Sequence, residues 1–142
     1  MRSKALIVAT ASAGVGFLDS LFLFYKYITA DTIHCFLFEG CNIVAGSPYS
    51  HVFGIPLPTF GVLFYGIAII FMVLLWRHFG KILMGIALLW GIVGFLFSLY
   101  FIFLQGFIIQ AFCIYCLISG AASVVFLCAL IIENNKERNI LS

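Results

Sequence analysis

The chain has 142 residues, of which 65% are hydrophobic and only 8% are charged. A soluble globular domain carries roughly 25% charged residues, so this composition excludes that class of protein. The net charge of +2 is too small to indicate nucleic-acid binding, and the length fits a single domain.

Four apolar stretches are long enough to cross a bilayer as helices, which takes roughly 20 residues each. In chain order they cover residues 5–27, 55–76, 82–104 and 111–132. Backbone groups in lipid need partners within the protein, and helices provide them. The sequence therefore predicts an all-α integral membrane protein. Residues 1–142 are expected to form one four-helix bundle, with residues 28–54 as a loop between helices 1 and 2.

The basic residues predict how the bundle sits in the membrane. Lys26 lies on the side of the 28–54 loop, and the other six lie on the opposite side: Arg2, Lys4, Arg77, Lys81, Lys136 and Arg138. Cytoplasmic segments carry an excess of Lys and Arg. Both termini are therefore expected in the cytoplasm, whereas the 28–54 loop and the short connection at 105–110 are expected to face outward.

Four of the five cysteines fall on this outward side. Cys35 and Cys41 lie in the loop sequence HCFLFEGC, and Cys113 and Cys116 form a CxxC motif at the outer end of the fourth helix. Disulfides persist on the outer face of a bacterial membrane and in organelle lumens. Cys128 lies deeper in the fourth helix and is expected to be a small buried apolar residue.

The CxxC motif suits electron transfer into the membrane. Cysteines three apart on a helix share a face, and a helix N-terminus favours the thiolate form. Cys116 is expected about 4.5 Å deeper in the membrane than Cys113. A lipid-soluble acceptor of two electrons is a quinone. A structural disulfide, or two unpaired core cysteines, would explain the same motif.

Several segments together resemble the vitamin K epoxide reductase family. The family pattern has a loop cysteine pair after the first helix and a CxxC motif at the start of the last helix of a four-helix core. The similarity extends to CNIVAGS at 41–47, GIPLPTFGVLFY at 54–65 and GFLDSLFLFYKY at 16–27. The resemblance implies a membrane quinone reductase that reoxidises a secreted thioredoxin-like protein.

The resemblance also implies a role for each cysteine. Cys35 and Cys41 would be the shuttle pair that reacts with the thioredoxin-like partner through mixed disulfides. Cys41 would pass electrons to Cys113, and Cys116 would be the thiol beside the quinone. Ser47, six residues after Cys41, would support the loop that covers the bundle.

The chain departs from the family pattern at two positions. Leu57 and Gly120 match the positions where vitamin K-reducing enzymes hold the vitamin K carbonyls with polar side chains. An ordinary respiratory quinone, menaquinone or ubiquinone, is therefore expected rather than vitamin K epoxide. Some bacterial members carry a fused thioredoxin-like domain. This chain ends at Ser142, so a separate partner is expected, outside a prokaryotic cytoplasmic membrane.

A quinone site next to Cys116 should be apolar and aromatic. The candidate residues for it open helix 2 or end helix 3 at the outer side: Phe60, Phe64, Tyr65, Phe101 and Gln105. Asp19 is the acidic residue well inside a predicted span, where carboxylates are often functional. It is expected either to hydrogen-bond a helix end or loop backbone, or to relay the protons that quinone reduction consumes.

Other functions compete with this interpretation. No metal is expected, because His34 and His51 do not match the spacing of zinc sites with the loop cysteines. The disulfide-bond-forming protein B family is also four-helical, but there the helix-borne CxxC precedes the loop pair. The alternatives that stay open are a vitamin K epoxide or quinone reductase proper, and a structural or partner-binding membrane protein stapled by disulfides.

Overall fold

The computed structural model describes residues 4–29, 43, 46–78 and 80–141. Its long helices are α1 (Lys4–Thr29), α2 (Leu57–Arg77), α3 (Lys81–Phe103) and α4 (Ile114–Leu141). All four are long and apolar enough to cross a membrane. The prediction of an all-α membrane protein with four spanning helices is confirmed.

A short hairpin precedes α2, although the hydrophobic pattern predicts that the second span begins at residue 55. Strand β1 (His51–Val52) pairs with the antiparallel strand β2 (Ile55–Pro56). The two-residue turn between them has positive φ at both Phe53 (53°) and Gly54 (78°), as a tight hairpin turn requires. Helix α2 then begins at Leu57, directly after a proline that cannot donate a hydrogen bond to the helix.

The connection predicted at 105–110 is helical. Helix α3 continues as a π-helix over Leu104–Ile109, which ends at Gln110 in the left-handed conformation (φ 57°). The backbone N–H groups of Gln110 and Ala111 both donate to the carbonyl of Gln105. Helix α4 therefore begins at Ile114 rather than residue 111.

Helix α4 also runs beyond residue 132, where the hydrophobic stretch ends, to Leu141. The polar segment after residue 132 is rich in Glu, Lys, Arg and Asn and contains neither Gly nor Pro. Glu, Lys and Arg have high helix propensity, so the helix persists after the chain leaves the apolar region.

The half of the bundle nearest the termini is closely packed around α1. Helix α1 packs against α2 and α4, and α3 packs against α4. Ala9, Ala13 and Ala68 have no exposed surface at these contacts, and Phe126 and Met72 fill the space between the helices. Small residues let helix backbones approach closely, as is usual where helices associate in lipid.

Large apolar side chains cover the outside of the bundle, as expected of a surface that faces lipid. Leu18, Leu89 and Ile92 are all exposed on the isolated chain. Cys128 is exposed on α4 as well, so the expectation that it is buried in the core was wrong. Its neighbours Phe126 and Leu127 point inward instead. Lipid tails are as apolar as the protein core, so an apolar thiol is stable on the lipid-facing surface.

Candidate functional site

A cavity of about 520 Å³ lies between the helices at the end of the bundle away from the termini. All four helices, the hairpin and the segment before α4 contribute to its walls. Its lining includes both cysteines of the CxxC motif and all five residues predicted for a quinone site: Phe60, Phe64, Tyr65, Phe101 and Gln105. The structure therefore brings together residues that are up to 56 positions apart in the sequence (60 to 116).

The CxxC motif straddles the beginning of α4. Cys113 immediately precedes the helix, and its carbonyl accepts a hydrogen bond from the Leu117 N–H at 3.1 Å. Cys116 follows in the first helical turn, and the two thiols hydrogen-bond to each other. Cys113 is buried, with 2% of its surface exposed. The pair therefore faces the cavity instead of the surrounding lipid.

Gln105 fixes the position of this pair. Its side-chain Oε1 accepts a hydrogen bond from the Cys113 N–H at 3.2 Å, and its amide also hydrogen-bonds the Cys116 thiol. The π-helix places Gln105, which is only 4% exposed, directly against the start of α4. Gln105 lines the cavity as predicted for a site residue, but its polar atoms are engaged by the two cysteines.

A stack of two aromatic rings forms one wall of the cavity. Phe64 on α2 stacks on Trp90 of α3, with ring centroids 5.4 Å apart and planes at 14°. The Trp90 Nε1–H donates to the Phe64 carbonyl at 3.1 Å. Gly94 lies against the Phe64 ring, where a Cβ atom would collide with it. Trp90 was not among the predicted residues. The sequence did offer a signal for it, because a tryptophan inside a membrane span needs a hydrogen-bond partner for its N–H.

Tyr65 connects α2 to α4 beside the CxxC motif. Its ring lies directly on Gly16 of α1, and 2% of its surface is exposed. Its hydroxyl donates to the Ser119 carbonyl, and the Ser119 hydroxyl contacts the Tyr65 oxygen at 3.3 Å. Ser119 is one helical turn after Cys116, so Tyr65 holds the helix that carries the cysteine.

Asp19 lies on α1 behind the same site. Its carboxylate is near enough to interact electrostatically with Cys113, Cys116 and Tyr65. Its Oδ2 atom is buried and has no hydrogen-bond partner within the described part of the chain. The carboxylate therefore lies within electrostatic range of the cysteine pair, and one of its oxygens is available to a proton or a water.

A polar cluster joins the end of α1 to the hairpin and includes Ser47. The Ser47 carbonyl accepts hydrogen bonds from the Ser50 N–H (3.1 Å) and the Ser50 hydroxyl (2.8 Å). The Tyr27 hydroxyl bonds the Ser50 hydroxyl at 2.6 Å, and His51 Nδ1 lies 3.0 Å from the same Ser50 oxygen. Ser47, Ser50 and Tyr27 all line the cavity.

The remaining predicted residues divide between the cavity and the rest of the chain. Leu57 and Gly120, the two positions that depart from the family pattern, both line the cavity. Cys35, Cys41 and His34 lie outside the described residues. Among residues 4–29, 43, 46–78 and 80–141, no three His, Cys, Asp or Glu side chains come together in a group that could hold a metal ion.

Comparison with known proteins agrees with the family suggested by the sequence. The family model described as the vitamin K epoxide reductase family matches residues 7–131, nearly the whole chain. A search of curated proteins found no match. The matched segment contains the CxxC motif and the cavity-lining parts of all four helices. This chain belongs to the vitamin K epoxide reductase family, whose members are membrane oxidoreductases that use quinones as electron carriers.

Proposed function

We propose that this protein is a quinone-dependent thiol–disulfide oxidoreductase. It oxidises a separate, secreted thioredoxin-like dithiol protein and passes the electrons to a quinone in the membrane, which supports disulfide formation outside the cytoplasm. The observation that carries this proposal is the position of Cys113 and Cys116, which together line an apolar cavity between membrane-spanning helices.

The cavity has the size and chemistry that suit a quinone ring. Its volume of about 520 Å³ lies within the range of small-molecule sites, and most of its lining is apolar or aromatic. Phe60, Phe64, Tyr65 and Phe101 supply ring surfaces, and exposed residues such as Phe60 and Leu63 connect the site to the lipid-facing surface. Leu57 and Gly120 offer no side-chain donor, which favours menaquinone or ubiquinone over vitamin K epoxide.

The chemistry at the cysteine pair is a two-electron oxidation. When the Cys113–Cys116 dithiol becomes a disulfide, it loses two electrons and two protons. A bound quinone takes up the two electrons and two protons and leaves as the hydroquinone. Cys116 is the thiol in the helical turn that faces the cavity, and Gln105 keeps Cys113 beside it.

The loop cysteines then return the pair to its reduced form. The Cys41 thiolate attacks Cys113 of the disulfide, which forms a Cys41–Cys113 bond and releases the Cys116 thiolate. The Cys35 thiolate attacks Cys41, so that a Cys35–Cys41 disulfide forms and the Cys113 thiolate leaves. The partner's dithiol reduces the Cys35–Cys41 disulfide and becomes oxidised. Cys113 precedes the helix and lies nearer its outer end than Cys116, which suits its role as the acceptor of the loop thiol.

Asp19 and Ser47 support this cycle in different ways. Asp19 relays protons from the cysteine pair to the quinone, because its carboxylate lies within electrostatic range of both thiols and its Oδ2 lacks another partner in the described structure. Ser47 holds the end of the loop against α1 through the hydrogen bonds that its carbonyl accepts from Ser50.

The ends of the helices support the orientation. Lys4 begins α1, Arg77 ends α2 and Lys81 begins α3, so these basic residues lie at the end of the bundle away from the cavity. Cytoplasmic segments of membrane proteins carry an excess of Lys and Arg. By this rule both termini lie in the cytoplasm, and the cavity opens near the outer face. The protein then resides in a prokaryotic cytoplasmic membrane.

The test is quinone reduction by the purified protein, driven by a reduced thioredoxin-like donor. Cys35→Ala, Cys41→Ala, Cys113→Ala and Cys116→Ala are each expected to lower the rate to background, whereas Cys128→Ala, on the lipid-facing surface, retains it. Replacing the donor with dithiothreitol, which is small enough to reach the inner pair directly, restores activity to the two loop variants alone.

The outcomes separate this proposal from the structural alternative. If Cys113→Ala and Cys116→Ala reduce quinone as fast as the unmodified protein, the CxxC motif is a structural staple and the proposal fails. If the donor supports no quinone reduction but vitamin K epoxide is reduced instead, the protein is an epoxide reductase proper.

A further inference from the structure

A group of hydroxyl side chains lines the cavity beyond the CxxC motif. On α4, Cys116, Ser119, Gly120 and Ser123 all contribute to the wall, which is the i, i+3, i+4, i+7 spacing of one helical face. Ser98 lines the same cavity from α3. Most of the cavity wall is apolar, and these hydroxyls lie on its side farther along α4 from the CxxC motif.

Ser98 and Ser123 form a hydrogen-bonded pair across the α3–α4 contact. Their oxygens are 2.6 Å apart, the Ser98 hydroxyl also reaches the Gly94 carbonyl at 2.9 Å, and the Ser123 hydroxyl reaches the Gly120 carbonyl at 2.8 Å. The Ser123 hydroxyl also interacts with the Tyr65 hydroxyl. Each serine has one hydroxyl hydrogen, so the two hydrogens are shared among more contacts than they can serve at once. Both carbonyls lie inside helices and accept backbone N–H groups as well, so one hydroxyl can turn toward a ligand without leaving an acceptor unpaired.

Gly120 leaves this pair open to the cavity. A Cβ atom at Gly120 would lie 3.8 Å from the Ser98 Cβ and 3.8 Å from the Ile102 Cδ1. A larger side chain there would occupy the space between Cys116 and the two hydroxyls. Ser123 lies seven residues after Cys116, which is about 10 Å along the helix, so a ring fits between the thiol and the serine pair.

We propose that the Ser98–Ser123 pair binds the ring oxygen of the quinone that points away from the cysteines. This inference rests on the proposed function and adds the polar contact that Leu57 and Gly120 do not provide. A serine hydroxyl donates to the carbonyl of a quinone and accepts from the hydroxyl of a hydroquinone. The pair therefore suits both oxidation states of the ligand without any change of charge inside the membrane.

The test measures binding separately from turnover. Trp76 and Trp90 are the two tryptophans of the chain, and Trp90 lines the cavity, so a Trp76→Phe background leaves one fluorophore at the site. Quenching of Trp90 by ubiquinone-1 in the fully oxidised protein gives the dissociation constant. Ser12→Ala is the matched control, because Ser12 is a buried helical serine whose hydroxyl bonds the Ala9 carbonyl at 2.9 Å, on the helix α1.

Loss of one hydrogen bond should raise the dissociation constant about fivefold to tenfold in Ser98→Ala and in Ser123→Ala. Ser12→Ala should leave it unchanged, and Ser98→Thr, which retains a hydroxyl, should stay near the original value. If both alanine variants bind ubiquinone-1 as tightly as Ser12→Ala does, the serine pair does not bind the quinone oxygen. The proposed function would still stand in that case. If the unmodified protein neither binds nor reduces ubiquinone-1 or a short-chain menaquinone, the proposed function fails as well.

A second measurement decides the matter even if the alanine variants do not fold. The unmodified protein should bind 1,4-naphthoquinone about tenfold more tightly than naphthalene, a bicyclic ring of similar size with no carbonyl, measured by competition with ubiquinone-1. In folded Ser98→Ala or Ser123→Ala protein this preference should shrink to about twofold. Equal affinities for the two compounds in the unmodified protein would overturn the proposal.

Discussion

The two ends of this helical bundle are built in different ways. At the end where α1 begins and α4 ends, alanines on α1 and α2 have no exposed surface, and Phe126 and Met72 fill the remaining space. At the other end the same helices surround a cavity of about 520 Å³, and the backbone departs from the α-helix in a π-helix, a left-handed residue and a hairpin.

This difference indicates how a small membrane protein can hold open a site between its helices. Close contact at Ala9, Ala13 and Ala68 sets the spacing of α1 and α2 over half of their length. The other half can then leave space for a ligand, because the helices are already held in place. Stability and chemistry are expected to reside in different halves, and substitutions can test that separation.

The largest effect is expected from a pair of phenylalanines, one from each half. Phe126→Ala opens a void in the closely packed half and should lower the free energy of unfolding by about 3–5 kcal/mol. Phe101→Ala enlarges an existing cavity and should cost far less stability, while it weakens quinone binding. Thermal unfolding in detergent and ubiquinone-1 titration measure the two quantities. Equal losses of stability in both variants would show that the halves do not differ in this way.

The next effect is expected at the boundary between the halves, at two glycines of α1. Gly16→Ala places a Cβ against the Tyr65 ring, which is buried and held by Ser119, and should cost about 1–3 kcal/mol. Gly14→Ala is the control, since nothing lies within 4 Å of the added atom. Alanine favours helix, so Gly14→Ala should be neutral or slightly stabilising. A Gly16 variant as stable as the Gly14 variant would mean that Tyr65 moves freely.

The sequence predicted the parts of this molecule that follow from hydropathy and helix depth. Four long apolar stretches require spanning helices, and residues at the same depth on neighbouring helices meet, which is why Phe60 and Phe101 were predicted to share a site. The family resemblance implied a role for each cysteine, and these roles stay predictions. The helix ends were less predictable, because hydropathy marks the end of the apolar region and α4 continues beyond it.

The sequence did not predict Trp90, Ser98 or Ser123 as parts of the site. Helix α3 is apolar on all sides, so no pattern in the sequence shows which face turns inward. The π-helix depends on the Gln105 carbonyl accepting two N–H groups and on Gln110 adopting a left-handed conformation, neither of which a local motif requires. Both features determine how α3 meets α4, and therefore which side chains reach the cavity.

The smallest effect is expected at two glycines of α3, and it concerns affinity rather than stability. Gly94→Ala would push the Phe64 ring away from Trp90, because the added Cβ collides with that ring. An aromatic pair contributes about 0.5–1.5 kcal/mol beyond its buried area, so ubiquinone-1 should bind about twofold to tenfold more weakly. Gly85→Ala, on the same helix with nothing within 4 Å of its Cβ, is the control and should bind as the unmodified protein does. The contrary outcome is that Gly94→Ala lowers the free energy of unfolding more than it lowers the free energy of quinone binding. Phe64 and Trp90 would then belong to the closely packed half, and the boundary between the two halves would lie nearer the cysteines.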